Sequence, residues 1–288
     1  MGLLKDFRSW RHGTRTRRRL RDLTGSLVVV TGAGSGIGRE TALAFAAQGA
    51  VLVLCDVDLE SAQDTAALID GPAHSYQVDV ADEEAVIRFA ATVSANHGIP
   101  DIVVNNAGIG YSGTFADTPQ DQFERVMNVN FWGVVHGCRA FSPMMIERGT
   151  GGHVVNLSSA AAYTPQKTLT AYSTSKAAVF MFSDCLRAEL LPHGIGVSTI
   201  CPGLVHTNIV KNTEFGGTTA EEQTRLQTRA DNLYRRRNFT PDRVATAVVK
   251  AVRSNKAVVP VTPEAKIGRA LSRLSPGAMR VGARLKVT

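Results

Sequence analysis

Cysteine is scarce in this chain, and what there is shows no pairing. Cys55, Cys138, Cys185 and Cys201 share neither a paired nor a metal-type spacing, which excludes a disulfide-stapled scaffold. Each stands in an apolar neighbourhood of the kind that buries a thiol, so a reducing, cytoplasmic setting is expected. Long apolar runs are missing too. None approaches the roughly 18 residues that a membrane span requires, because Gln48 and Gly49 interrupt the longest candidate. Leu3 and Leu4 are not followed by an apolar stretch of signal-peptide type, so no such peptide is expected. Asp6 occupies the place where a myristoylation signal wants Ser or Thr. No internal repeat or low-complexity tract is visible, and 26 glycines and 11 prolines in 288 residues are ordinary numbers that argue against disorder.

Acidic residues are rare only at the two ends. The formal net charge is +7; residues 1–25 contribute eight Lys/Arg against two acids (+6) and residues 264–288 six against one (+5), leaving −4 for the span between. A nucleic-acid-binding surface on the central body is therefore not expected. Leu3, Leu4, Phe7 and Trp10 fall at helical spacing before the arginine-rich stretch Arg8 to Arg21. A basic amphipathic helix on an anionic membrane, contact with an acidic partner, or a solvated arm would each have this composition.

From Leu27 onward, short apolar runs alternate with longer amphipathic ones. Leu27 to Thr31, Val51 to Cys55, Ile102 to Asn105, Val154 to Leu157, Val197 to Ile200 and Ala257 to Val261 read as buried parallel strands, with a weaker seventh near His74 to Val78. Helices fit between them over Gly36 to Gln48, Leu59 to Ile69, Glu83 to His97, Asp121 to Met145 in one or two pieces, Thr170 to Leu191 and Pro241 to Ser254. The pattern predicts a single α/β domain: a doubly wound, Rossmann-like sheet of seven parallel strands with helices on both faces. Ligands of such sheets sit at the carboxyl ends of the strands.

Directly after the first strand comes Thr31-Gly32-Ala33-Gly34-Ser35-Gly36-Ile37-Gly38. Glycines permit positive φ and a close backbone approach to a pyrophosphate lying on a helix N-terminus. No Gly-Lys-Ser/Thr follows, so a nucleoside-triphosphate loop is excluded. The second strand ends at Asp56, eighteen residues after Gly38, where a carboxylate holds the hydroxyls of an adenosine ribose and repels a 2′-phosphate. That favours NAD over NADP, with Arg39 as the one nearby cation able to turn toward a phosphate. Tyr172 and Lys176 stand four apart, on one face if helical, with the ammonium beside the phenol. A phenol working as an acid or base near neutrality needs its ionised form favoured, and an adjacent cation does this.

These motifs, in this order and spacing, identify residues 25–262 as resembling a short-chain dehydrogenase/reductase of the Thr-Gly-x-x-x-Gly-Ile-Gly and Tyr-x-x-x-Lys type. Within actinobacteria, the likeness is to the reductase portion of proteins in which an epoxide-hydrolase-like domain precedes it. The resemblance implies that Gly32, Ser35, Gly36, Ile37 and Gly38 cradle the pyrophosphate, Asp56 the ribose, and Asp79 with Val80 the adenine. Asn106 lines the cofactor site. Val205 and Thr207, in Pro202-Gly203-Leu204-Val205-His206-Thr207, reach the nicotinamide end. Ser159, thirteen residues before Tyr172, is implied in preference to Ser158 as the hydroxyl that donates to the substrate oxygen. Tyr172 transfers the proton, Lys176 lowers the Tyr172 pKa and bridges the ribose, and Asn130 kinks its helix and extends the relay to solvent. Tyr172 and Lys176 thus count among both the catalytic and the cofactor-binding residues.

Around that site the resemblance places substrate walls at Ile109 to Asp117, at Ala160 to Leu169 and in a lid over 204–240. Tyr111, Phe115, Ala161, Ala162, Tyr163 and Leu169 make those walls mainly apolar, so a lipophilic secondary alcohol or ketone is expected. The basic arm over 1–24 and the basic tail over 263–288 lie outside the family pattern and suit peripheral contact with the inner face of a membrane. A homodimer or homotetramer through the helices over 121–145 and 170–191 follows by analogy. Two rivals are an NADPH-dependent reductase of acyl-carrier-protein substrates, which Asp56 disfavours, and a non-catalytic nucleotide sensor, in which the Tyr/Lys pair is usually broken. His153 and His206 have no metal-ligand spacing, and no metal is expected.

Overall fold

Val, Ile and Leu crowd the apolar runs because a strand covered on both faces has no solvent side to fill. In the computed structural model, which describes residues 20, 22–207, 209 and 212–284, these runs form one parallel sheet. Its strands are β1 (Leu27–Thr31), β2 (Val51–Asp56), β3 (Ala73–Gln77), β4 (Ile102–Asn105), β5 (Gly152–Leu157), β6 (Ile195–Cys201) and β7 (Val258–Pro260), in spatial order 3-2-1-4-5-6-7. The register runs Val30 opposite Leu54 and Val104, and Asn105 opposite Asn156. β3 and β7 are the edges. Polar residues in β3 and Pro260 in β7 are tolerated because an edge strand leaves one row of backbone groups unpaired.

The helices are α1 (Gly36–Ala46), α2 (Leu59–Ala67), α3 (Glu83–His97), α4 (Gln120–Met127), α5 (Gly133–Arg148), α6 (Thr170–Leu190), α7 (Ala220–Arg237), α8 (Pro241–Ser254), α9 (Pro263–Leu274) and α10 (Pro276–Gly282). Side-chain oxygens mark several starts: Asp58 accepts from Glu60 and Ser61 N–H at α2, Asp82 from Ala85 N–H at α3, and Thr262 from Ala265 N–H at α9. Thr219 and Glu222 form a reciprocal capping box at α7. The stretch expected to be helical from Asp121 to Met145, in one or two pieces, is α4 and α5 joined by one π-helical turn, Asn128–Trp132.

Two apolar layers flank the sheet. Phe45 on α1 and Val244 and Val248 on α8 pack with Leu52 and Leu54 on one face; Phe89 on α3 and Phe141 and Met145 on α5 pack with Val103 and Val154 on the other. Leu20 and Leu23, assigned to the arm by their neighbours in sequence, are buried in the first layer. The packed body therefore begins upstream of residue 25. Leu3, Leu4, Phe7 and Trp10 lie outside the described residues. Cys185 departs from expectation: it is exposed, while Cys55, Cys138 and Cys201 are buried. It sits two residues beyond the buried Ser183 on α6, about 200° around the helix and thus on the outer face.

Among the described residues no helix is long and apolar enough to cross a membrane. Gly137 lets α5 lie close to β4, since a Cβ there would come 2.1 Å from Asn105 Oδ1. Alanine normally improves a helix by ~1 kcal/mol over glycine, but overpacking costs about 1–3 kcal/mol. Gly137→Ala is therefore expected to destabilise the protein in urea unfolding, and an unchanged or raised midpoint would contradict this packing.

Candidate active site

The strand order reverses between β1 and β4, and the loops leaving their carboxyl ends open a crevice there. After β1, Gly32 turns with φ +63°, and a Cβ on it would lie 2.7 Å from Ala107 Cα in the loop after β4. Only glycine combines that conformation with that approach. Gly36, with φ +53°, faces the Thr207 side chain across the same turn. Gly34 is held for a different reason: a Cβ would strike Ser61 Oγ at 2.1 Å, on the first turn of α2.

A cavity of about 450 Å³ occupies this crevice. Gly32, Ser35, Gly36, Ile37, Asp56, Asp79, Val80, Asn106, Ser159, Tyr172, Lys176, Val205 and Thr207 all line it. Gly38 and Asn130 do not. Gly38 is buried, and a Cβ on it would fall 2.0 Å from the Gly32 carbonyl oxygen, so it lets helix α1 close against its own loop. Asn130 sits fully buried in the π turn. Its Oδ1 accepts from Ile109 N–H at 2.8 Å, and its Nδ2 donates to Ile109 O at 3.0 Å and Ser175 Oγ at 3.2 Å. Its amide thereby ties the π turn to the loop after β4 and to α6, and Oδ1 keeps a second lone pair for a further donor.

Asn106 lines the cavity while its Nδ2 donates to the carbonyls of Thr31 at 2.9 Å and Gly32 at 3.0 Å, fastening the glycine turn. Asp56 Oδ2 accepts from Gly34 N–H at 2.8 Å, and Oδ1 from Asp58 N–H at 3.2 Å. Arg39, the cation near this carboxylate, is turned elsewhere, with Nη2 on Gly34 O at 2.5 Å and Nε on Thr65 Oγ1 at 3.0 Å.

The chemistry gathers at the other end. Helix α6 carries Tyr172 and Lys176 on one face, with the Lys176 ammonium 5.9 Å from the Tyr172 ring centre and donating to Leu157 O at 3.0 Å. Ser158 Oγ is spent on the Lys176 carbonyl at 2.8 Å. Ser159 Oγ accepts from Ala161 N–H at 3.1 Å and lies 3.4 Å from Pro202 O, with its hydroxyl at the cavity wall. Burial pushes the Tyr172 phenol above its ordinary value, and hydrogen bonding with Ser159 pulls the other way. This reverses the direction expected from the Tyr/Lys spacing alone. Tyr172 is half-buried at the cavity wall, and the loss of water around its hydroxyl outweighs the single cation, which at this range is worth about 3 kcal/mol at an effective dielectric near 20. Burial also lowers Lys176, to about 8.

The predicted walls hold in part: the segment from Ile109 contributes Ile109 and the lid over 204–240 contributes Val205, Thr207, Ile209, Asn212 and Tyr234, while nothing from Ala160 to Leu169 lines the cavity. Neither Tyr111, Phe115, Ala161, Ala162, Tyr163 nor Leu169 is among the cavity residues. Tyr111 is buried in a small cluster with Val126 and Ala171, Phe115 is exposed, and Tyr163 donates its hydroxyl to Ala265 O at 3.0 Å. Arg125 lines the cavity from outside the predicted wall segments. Arg125 pairs with Glu214 at 3.0 Å. Tyr234 comes from α7, and its phenol is pushed up to about 12 by burial, then by the nearby Tyr172 and Glu264. The lid expected over 204–240 includes Tyr234, though nothing in its charged, arginine-rich helix singles that residue out. Glu264 explains how α7 is held: one oxygen accepts from Leu204 N–H at 2.9 Å, the other pairs with Arg237.

Segments far apart in sequence thus converge on one crevice, and the chain as a whole is similar to known proteins. The family model for short chain dehydrogenase matches residues 26–215. The probable oxidoreductase EphD of Mycobacterium tuberculosis is 56% identical over 267 residues, covering 91% of this chain but only 45% of EphD, so the chain spans less than half of that relative. A short chain dehydrogenase/reductase from Burkholderia phymatum, solved in complex with NAD, superposes with a TM-score of 0.82 at 26% identity, over 93% of this chain and 98% of that one. A metagenomic short-chain oxidoreductase in complex with NADP gives 0.67 at 28% identity, over 83% and 96%.

Lys176 offers a test of the buried site without substrate. Between about pH 8 and the ordinary lysine value, the unfolded chain binds a proton that folded Lys176 has released, so this position adds stability as pH rises through that window. Urea unfolding of the protein, taken relative to Lys176→Met, should show that difference growing from about pH 8 to about pH 10. A flat difference would contradict a buried, depressed lysine.

Proposed function

This chain belongs to the short-chain dehydrogenase family, and we propose that it is an NAD-dependent oxidoreductase interconverting a lipophilic secondary alcohol and its ketone. That it is a dehydrogenase/reductase enzyme follows from the family and its nucleotide-bound structural relatives. The reading of cofactor and substrate rests on one observation: Ser159, Tyr172 and Lys176 line the same cavity as the glycine turn and Asp56.

The residues fit a dinucleotide. The turn at Gly32 and Gly36 brings bare backbone with positive φ to the cavity wall, and helix α1 starts at Gly36, the arrangement in which helix N–H groups hold a phosphate. Asp56 stands at the cavity wall as an acceptor for ribose hydroxyls, and Arg39 is engaged by Gly34 and Thr65. Both favour NAD over NADP. A nicotinamide dinucleotide, when bound, supplies the hydride donor or acceptor.

In the reducing direction Ser159 donates to the substrate carbonyl oxygen as negative charge builds there. Tyr172, kept protonated by burial, delivers its proton to that oxygen. Lys176, anchored on Leu157 O, holds a positive charge beside the phenol and limits the cost of leaving a phenolate. In the oxidising direction Tyr172 takes the proton back. Ile109, Ile209 and Tyr234 give the cavity apolar surface for the substrate body, with α7 as its cover, and Glu264 ties that cover to the loop after β6. A cytoplasmic homodimer or homotetramer through α4, α5 and α6 completes the reading.

Tyr172→Phe should lower turnover of lipophilic alcohols and ketones by roughly 10²- to 10⁴-fold with NADH affinity nearly unchanged, followed by fluorescence titration. In the same assay the unaltered protein should bind NADH more tightly than NADPH, and Asp56→Ala should narrow the gap. Retained turnover would mean a different acid; tighter NADPH binding would overturn the cofactor assignment.

A further inference from the structure

Helix α9 has two faces with opposite fates. Inward, Ala265 and Gly268 are buried, with the Gly268 backbone so close to Thr164 that a Cβ would meet Cγ2 at 2.5 Å, and Arg269 lies over the Phe180 ring at 5.3 Å. Outward, Ile267, Leu271 and Leu274 follow at intervals of four and three, which on a helix is one continuous stripe. They are 60%, 43% and 82% exposed, and Val281 on α10 adds a fourth apolar side chain at 59%. Lys266, Arg273, Arg280 and Arg284 stand exposed around them. The one acid over 264–284 is Glu264, and it is occupied by Arg237 and Leu204.

We propose that α9 and α10 form a docking surface for an anionic lipid bilayer. An apolar stripe on a convex helix, flanked by cations, is the pattern of a helix lying in a membrane interface, with the hydrocarbon side chains below the headgroups and the cations among them. Charge decides against two other occupants from this chain. Residues 1–25 carry +6 and residues 264–288 carry +5, so neither the basic N-terminal segment nor the same face of a second copy complements it. The surface also has a place in the architecture. Through Glu264, α9 is fastened to α7 and to the loop after β6, which together line the cavity, so a docked membrane lies beside the cover of the site. The inference stands independently of the proposed reaction and cofactor.

The test is co-sedimentation of the full chain with vesicles of phosphatidylcholine alone or with added phosphatidylglycerol. Binding is expected only to the anionic vesicles, and to weaken as salt rises. Leu271→Ser with Leu274→Ser, and separately Lys266→Glu with Arg273→Glu, should each lower partitioning at least tenfold at unchanged far-UV circular dichroism; the charge pair keeps the test available if the apolar pair disturbs folding. Equal binding to both vesicle types overturns the proposal. So does undiminished binding of both variants, which would put the contact elsewhere in the chain. A change in oligomeric state with unchanged vesicle binding also overturns it, by making the face a contact between copies. Binding to an acidic protein but to neither vesicle would do the same.

Discussion

A lysine ammonium buried at the end of a parallel sheet is costly to keep, and the hydrogen bond from Lys176 to the Leu157 carbonyl is what holds it there. Everything chemical in the crevice is arranged around that charge. Tyr172, one helical turn earlier, lies within its field. Both Ser158 and Ser159 line the cavity, and the Ser158 hydroxyl is donated to the lysine's own backbone carbonyl. Asn130, bonded to Ile109 and Ser175, stiffens the wall behind Gly108, where a Cβ would find Asn130 Oδ1 and Lys176 Nζ at 3.1 and 3.3 Å. The price of this burial is visible in both titrating groups, each displaced toward its neutral form.

The sheet supplies the place for the charge. Because β1 is followed by glycines and β4 by Asn106-Ala107-Gly108, two loops meet at the reversal of strand order closely enough for Asn106 to tie them together. A phosphate cradle and a proton-transfer pair therefore share one cavity although some 140 residues separate Gly32 from Tyr172. Segments beyond the sheet finish the enclosure. Glu264 spans from α9 to the loop after β6 and to α7, so the tail that sequence set apart as a basic appendage is joined to the wall of the site.

Sequence was most legible where one local rule acted without competition. Asp82 and Gly98 bracket α3, and Pro241 opens α8, so both helices were bounded to the residue. The faint period of β3 matched its edge position. Contacts made across space were not legible. Nothing in Arg235-Arg236-Arg237 announces that Tyr234 faces Tyr172, or that Arg237 meets Glu264. The lining expected from Tyr111 and Tyr163 failed because each packs against a neighbour specified elsewhere in the chain. The Tyr172 shift was misjudged for a related reason: spacing along a helix reveals the cation, while burial depends on the whole fold. Helix α9 did carry a signal in Thr262-Pro263-Glu264, a capping residue followed by proline at the first helical position.

The central claim is that a half-buried phenol, reluctant to ionise alone, is brought into working range by positive charge gathered beside it. Phenolate absorbance of the protein, taken as the difference from Tyr172→Phe and titrated with pH in the absence and presence of NAD+, measures this directly. The account predicts ionisation above the ordinary tyrosine range in the protein alone, moving to lower pH when NAD+ is present. Ionisation at or below the ordinary value without NAD+, or a transition unmoved by it, would contradict the account.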